Sequence, residues 1–282
     1  MIIEKHIIIA DPELSVVATL KNEIELSSIQ IKQAIAKGCL WLEKSNKIKR
    51  LRRLKTELKV NQQLHFYYNS EVLAQRPLEA QLLEDNDSYS IWVKPSGMLS
   101  QGSKWGDHTT IYRYAEQMLT PQRQGIIVHR LDKMTSGLMI LAHHRKTAAA
   151  FTQLFEQRKI KKCYRAKLNG LLEEALNDEI ILDSPLDDKP AFSRVKTLQT
   201  DPTLNQSLVN ICIETGRKHQ IRQHLAQLGY PLVGDRLYGN DVIDNTQRPD
   251  LQLTAYLLEF ICPISGENKS YQLNDEQCPL LS

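Results

Sequence analysis

The stretch from residue 126 to residue 142 constrains this chain more than any other. Two short apolar runs, 126–128 and 138–142, flank the nonapeptide His-Arg-Leu-Asp-Lys-Met-Thr-Ser-Gly at 129–137. Aliphatic and β-branched runs of that length, bounded here by Gly125, Gly137 and His143, read as buried strands. The polar segment between them is then a loop held on a rigid sheet, where functional groups tend to be placed. Asp132 stands in it among His129, Arg130 and Lys133. An acid beside an arginine is often no more than a salt-bridged turn, so the rest of the chain has to decide.

With 282 residues, the chain is long enough for one large domain or two smaller ones. Hydrophobic residues make up 41% and charged residues 24%, the balance of a globular protein in water. The net charge of +3 is too small to imply a polyanionic partner by itself, so local clustering matters more. Cys39, Cys163, Cys212, Cys262 and Cys278 are scattered without a CxxC pair, which predicts neither a zinc site nor a disulfide framework. No apolar run of about 18 residues and no leader pattern are read, so a cytoplasmic protein without a membrane partner is expected.

Residues 1–70 differ in character from the remainder of the chain. A helix is predicted over 27–37, with Ile29, Ala34 and Ile35 on one face and Gly38 as its stop. Strands are predicted at 39–43 and 61–68. Between them runs Lys47-Ile48-Lys49-Arg50-Leu51-Arg52-Arg53-Leu54-Lys55, in which six of nine residues are cationic and no acid intervenes before Glu57. Lys49, Arg50, Arg52 and Arg53 are therefore candidates for phosphate contacts, against the alternative of a solvated basic face. Residues 71–87 lack apolar periodicity and read as a linker.

From residue 88 to the end, strands and helices alternate. Strands are predicted at 89–94, 161–168, 208–213 and 253–262, and helices at 109–119 and 146–157. Several strands follow one another directly, so the expected fold class is α+β, with a mixed, mainly antiparallel central sheet and flanking helices. The small N-terminal region would form a second α/β domain. Around Gly216, residues 215–225 place Arg217, Lys218, His219 and Arg222 at the start of a helix, where cations oppose the helix dipole unless an anion approaches. No phosphate-cradling glycine pattern occurs, and neither a cofactor nor a metal is expected.

At these residues the chain resembles the pseudouridine synthases of the RluA family. The motifs occur in order: Lys94-Pro95-Ser96-Gly97, His129 to Gly137, Lys162-Cys163-Tyr164-Arg165-Ala166, Thr215 to Arg222, and Gly234-Asp235-Arg236-Leu237-Tyr238-Gly239. Residues 1–70 resemble, more weakly, a small ribosomal-protein-like RNA-binding domain, with Asn61-Gln62 where such turns usually carry Gly-Asp. The resemblance implies a pseudouridine synthase fold over 88–282 and conversion of uridine in ribosomal or transfer RNA to its carbon-linked isomer by a monomer. It implies that Asp132 is the essential carboxylate, acting on sugar or base or removing a sugar proton. Arg222 would be the cation that keeps it charged, Tyr164 the aromatic group against the base, and Arg130 the residue entering the stack as the uridine turns out. Ile221 would line the pocket, His129 would order the loop, and Lys94 would be structural or phosphate-facing.

Two other readings compete. An aspartate-dependent glycosidase would need a second carboxylate at a suitable separation, and none lies beside Asp132 in sequence, Asp235 falling in what reads as a structural turn. A catalytically idle RNA-binding protein would not need Asp132, Tyr164 and Arg222 together.

Overall fold

The structure is a computed structural model and describes residues 1–239 and 249–281. It comprises two compact units, Met1–Leu78 with Gln101–Met118, and Glu79–Ser100 with Leu119–Ser282. The stretch 88–282, expected as one domain, is thus interrupted, because 101–118 packs with the first unit.

In that first unit, β1 (Ile2–Ile8), β2 (Leu40–Lys44), β3 (Lys47–Arg50) and β4 (Gln63–Asn69) form an antiparallel sheet in the order β1-β4-β2-β3. The helices are α1 (Val16–Glu23), α2 (Ser28–Ala36), the short α3 (Ser70–Ala74) and α4 (Ile111–Met118). Ser27 and Gln30 close a reciprocal capping box on α2, and Gly38, at φ 89°, takes the left-handed conformation that ends it. The core gathers Val16, Leu20, Ile31, Ile35, Leu40, Leu64 and Phe66. Ile29, expected on the buried face of α2, is 69% exposed, and Ile31 occupies the core instead. Asn61 stands at φ 64°, a conformation asparagine tolerates better than most residues, so it can replace glycine in that turn.

The basic stretch is half of a hairpin. Ser45 and Asn46 both have positive φ, the requirement of a tight two-residue turn, and register Trp41 opposite Arg50. Arg50 and Arg52 then turn towards Asp107, which is 1% exposed. Arg50 Nε lies 3.3 Å from its carboxylate, while Arg52 and the Tyr112 hydroxyl donate to the same oxygen. Arg50 also donates to the Ser103 carbonyl at 2.8 Å and lies over the Trp41 ring. Two of the four expected phosphate-binding cations are therefore occupied in fastening 101–118. Lys49 and Arg53 are exposed and have no ion-pair partner among the described residues.

In the second unit, β5 (Gln81–Asp85), β6 (Tyr89–Lys94), β7 (Ile126–Ile127), β8 (Ser136–Ala142), β9 (Lys161–Asn169), β10 (Ile180–Leu182), β11 (Ser193–Asp201), β12 (Gln206–Ile213), β13 (Leu253–Ile261) and β14 (Asn268–Gln272) make one ten-stranded sheet. Its order is β10-β11-β12-β9-β13-β8-β6-β5, with β14 on β13 and β7 on β8. Every pairing is antiparallel except β13 with β8, so the mixed, mainly antiparallel sheet expected from the sequence is present. Helix α5 (Arg145–Glu156) packs on β7 and β8, and α6 (Gln220–Gln227) follows β12. β5 lies in the expected linker; as an edge strand its Leu82 and Leu83 stay 40% and 37% exposed, so no buried alternation marked it. Cys163 and Cys212, opposite one another on β9 and β12, form a disulfide, contrary to expectation. Strand register brings them together across 49 residues, and no local spacing could announce it. No helix among the described residues is long and apolar enough to cross a membrane.

The single parallel junction positions the 129–137 loop. Gly137, at φ 115°, pairs with Ala255 across it, and a Cβ there would lie 2.2 Å from the Ala255 carbonyl oxygen. Only glycine lets β8 start so close to β13.

Candidate active site

The loop carrying Asp132 is fixed by its backbone. Lys94, fully buried at the end of β6, donates to the carbonyls of Pro95, Met98 and Lys133 at 3.0, 2.9 and 3.1 Å. An ammonium has three donors, and all are used. Burial pushes Lys94 down to about 7, with the charge of Asp132 opposing; three carbonyls that can only accept help to keep the proton on. Of its two expected roles, the structural one is therefore the observed one. Gly97 N–H donates to the Lys133 carbonyl, Ser96 to that of Met134, and Ser100 exchanges two bonds with the Leu131 backbone. His129 Nε2 accepts the Ile140 N–H at 2.9 Å, and its ring stacks on Phe155. Burial, then the nearby Lys162, lowers its pKa to about 3, so it is a neutral loop-ordering group.

Asp132 is one-third exposed and faces a cleft of about 270 Å³ lined also by Lys133, His219, Arg222, Arg236 and Leu237. Arg222 Nη1 and His219 Nε2 each come within 3.9 Å of its carboxylate. The firm partner of Arg222 is another residue. Its Nε and Nη2 donate to the two oxygens of Asp235, both at 2.7 Å. Asp235 also accepts the backbone N–H groups of Leu237 and Tyr238, so its carboxylate is saturated. Burial opposes its ionisation, but Arg222 and those two N–H groups outweigh burial and hold its pKa below the usual 3.8. Gly234 makes the preceding turn at φ 78°, where a Cβ would fall 2.4 Å from the Asp250 carbonyl oxygen. The expected pairing of Arg222 with Asp132 is thus a longer contact, made by an arginine anchored to Asp235.

His219 caps α6 in the left-handed conformation and meets the Tyr238 hydroxyl at 3.0 Å. Burial draws its pKa down against the attraction of Asp132. The Arg222 guanidinium lies 5.2 Å from the Tyr238 ring centroid. Tyr164 is buried on β9 and is not among the residues lining the cleft; burial and, second, the charge of Asp132 raise its phenol pKa, so it keeps its proton. Arg130 is exposed on the loop. Ile221 is 5% exposed and is not among the residues lining the cleft. The sequence placed His219 among the cations of 215–225 and Asp235 and Tyr238 in the Gly234–Gly239 motif, but gave none of them a part beside Asp132, because the partner of the Asp235 carboxylate lies 13 residues upstream. A saturated, acidic Asp235 also cannot be the second carboxyl a glycosidase requires.

Residues 88–227 match the family model described as RNA pseudouridylate synthase. Over 220 residues the chain is 30% identical to the ribosomal large subunit pseudouridine synthase D of Neisseria meningitidis, covering 70% of this chain and 58% of that protein. Over 207 residues it is 32% identical to RNA pseudouridine synthase 5 of Arabidopsis thaliana, covering 57% and 55% respectively. The structure titled Human RNA Pseudouridylate Synthase Domain Containing 1 shares the fold, with a TM-score of 0.58 at 20% identity over 71% of this chain and 86% of that one. A mixed sheet that sets an aspartate-bearing loop against an anchored arginine is the frame on which this chain builds its site. Residues 88–227 thus carry the pseudouridylate synthase pattern, and these relatives support the resemblance to the RluA family read from the sequence motifs. It spans a little over half the length of these two curated relatives.

Proposed function

We propose that this protein isomerises uridine to pseudouridine within RNA, with Asp132 as the essential carboxylate. The observation that carries the reading is the aspartate itself, part-exposed in a cleft, on a loop held by buried backbone bonds, 3.9 Å from an arginine that Asp235 locks in place. In the reaction the glycosidic bond to nitrogen breaks, carbon 5 joins the sugar, and the hydrogen on carbon 5 leaves as a proton. Asp132 supplies the anion that acts on the sugar or base. Arg222 favours its ionised form, and Tyr164 offers a ring edge and a hydroxyl to the base. Arg130 takes the place of the displaced nucleotide. The Neisseria relative is named for the ribosomal large subunit, which favours ribosomal over transfer RNA as substrate and, with it, a cytoplasmic site of work. RNA labelled with tritium at carbon 5 of uridine should release tritium to water when incubated with the protein. Binding of that RNA without any release would instead identify an idle RNA-binding protein.

We also assign the exposed remainder of the basic stretch, Lys49 and Arg53, to phosphate contacts that set affinity and register without reading bases. Replacing both with Gln should flatten the slope of log affinity against log salt by about 1.5, at roughly 0.7–0.9 per lost contact. Arg50 and Arg52, tied to Asp107, should when replaced lower the melting temperature more than the salt slope. Identical slopes for the parent and the Lys49/Arg53 variant would leave these two as a solvated face.

A further inference from the structure

One cation near the site has no part in fixing the loop, anchoring Arg222 or facing Asp132. Lys162 lies two residues before Tyr164 on β9, so both side chains leave the same face of the strand. Its ammonium is next to Gly216, where a built Cβ would be 3.9 Å from Nζ, and 5.7 Å from the centroid of the Phe155 ring. Phe155 in turn stacks on His129. The ammonium therefore stands between the loop that carries Asp132 and the loop that leads into Arg222. No carboxylate, carbonyl or hydroxyl partners it among the described residues. Burial lowers its pKa, with no opposing anion. A half-buried, unpartnered cation is costly to keep unless an anion arrives in the working state. The groups around it, the Phe155 ring, the neutral His129 and a glycine without a side chain, supply no anion.

We infer that Lys162 seats a phosphodiester oxygen of the bound RNA strand, beside the uridine being isomerised. The inference rests on the isomerase reading and adds the residue that holds the substrate backbone at the catalytic loops. A contact made equally in the ground and transition states shows itself in KM and not in kcat. Tritium release by the parent protein is measured first, and its absence would count against the isomerase reading. With an active parent, Lys162→Gln is expected to raise KM about tenfold or more, as for loss of one charge-assisted contact. It should leave kcat within about twofold and flatten the salt slope by about 0.7–0.9. Lys162→Arg, which keeps the charge, should restore most of the KM and the full slope. Gln in place of an unbonded ammonium removes no internal hydrogen bond, so both variants should melt with the parent. Unchanged KM and salt slope in an active Lys162→Gln protein would overturn the inference, as would a fall in kcat alone, or a fall in activity that tracks lost thermal stability and that Arg does not rescue.

Discussion

Asp132→Asn should bind RNA as the parent does, melt at nearly the same temperature, and release tritium slower by on the order of 10⁴-fold, the scale seen when one carboxylate is removed from a catalytic set. The stability half of this expectation follows from what the side chain does not do. Its closest polar contacts are the two at 3.9 Å, too long for hydrogen bonds. The turn it occupies is closed by its own carbonyl, which accepts the Thr135 N–H in either variant. Asparagine keeps the shape and removes the charge, so only chemistry that needs an anion is lost. Release within about tenfold of the parent rate would take the essential role away from Asp132.

Asp235→Ala should produce the largest loss of stability of any single change considered, about 3–5 kcal/mol, because it strands a buried guanidinium. Asp235 is 1% exposed and Arg222 is 7% exposed, so water cannot replace the missing partner. Activity should fall as well, since Arg222 would no longer be held towards Asp132. The pH dependence carries a sign. The folded pKa of Asp235 lies below its unfolded value near 3.8, so its contribution is fully present above that value and is lost as pH falls through the folded pKa. Urea unfolding of the parent should therefore weaken steeply on acidification below about pH 4, while Asp235→Asn should start lower and show a shallower acid limb. Equal stabilities at pH 7, or parallel acid limbs, would reduce the Arg222–Asp235 pair to a surface ion pair in all but position.

Where burial imposed a simple rhythm on the sequence, the structure could be read from it. β6, β8 and β9 are interior strands of the sheet, with Ile91, Trp92, Leu138, Ile140 and Ala166 buried, and the apolar runs of β6 and β8 and the alternation of β9 mark their positions within a residue or two. The edge strands β5 and β10 bury little; Ile181 is 59% exposed, and the rhythm is absent. On α2 the spacing allowed Ile29 or Ile31 to face inward, and only the tertiary partners chose between them. The site divided along similar lines. Asp132 was legible because an acid amid cations between two strands is unusual, and because five motifs recur in order. The roles of Arg50, Arg52 and Asp235 were not, since each depends on one partner far along the chain: Asp107 for the two arginines, Arg222 for the aspartate. Charge density is a local property of sequence, whereas neutralisation is a property of contacts. The Cys163–Cys212 bond was hidden for the same reason.

The excursion of 101–118 into the first unit has a consequence for the order of events during synthesis. Multidomain chains generally complete their N-terminal unit as it leaves the ribosome. Here the four strands β1 to β4 emerge with Arg50 and Arg52 still lacking the carboxylate that they share. β5 and β6, which belong to the other unit, are made before Asp107 arrives. The first unit is thus left unfinished while the ribosome starts on the second, and its last ion pairs close only after the polypeptide has crossed from one unit to the other and back. A gene cut at residue 70 would consequently remove the hosts of a segment that stays behind, so trimming the N-terminus cannot yield a catalytic unit with nothing missing and nothing left over.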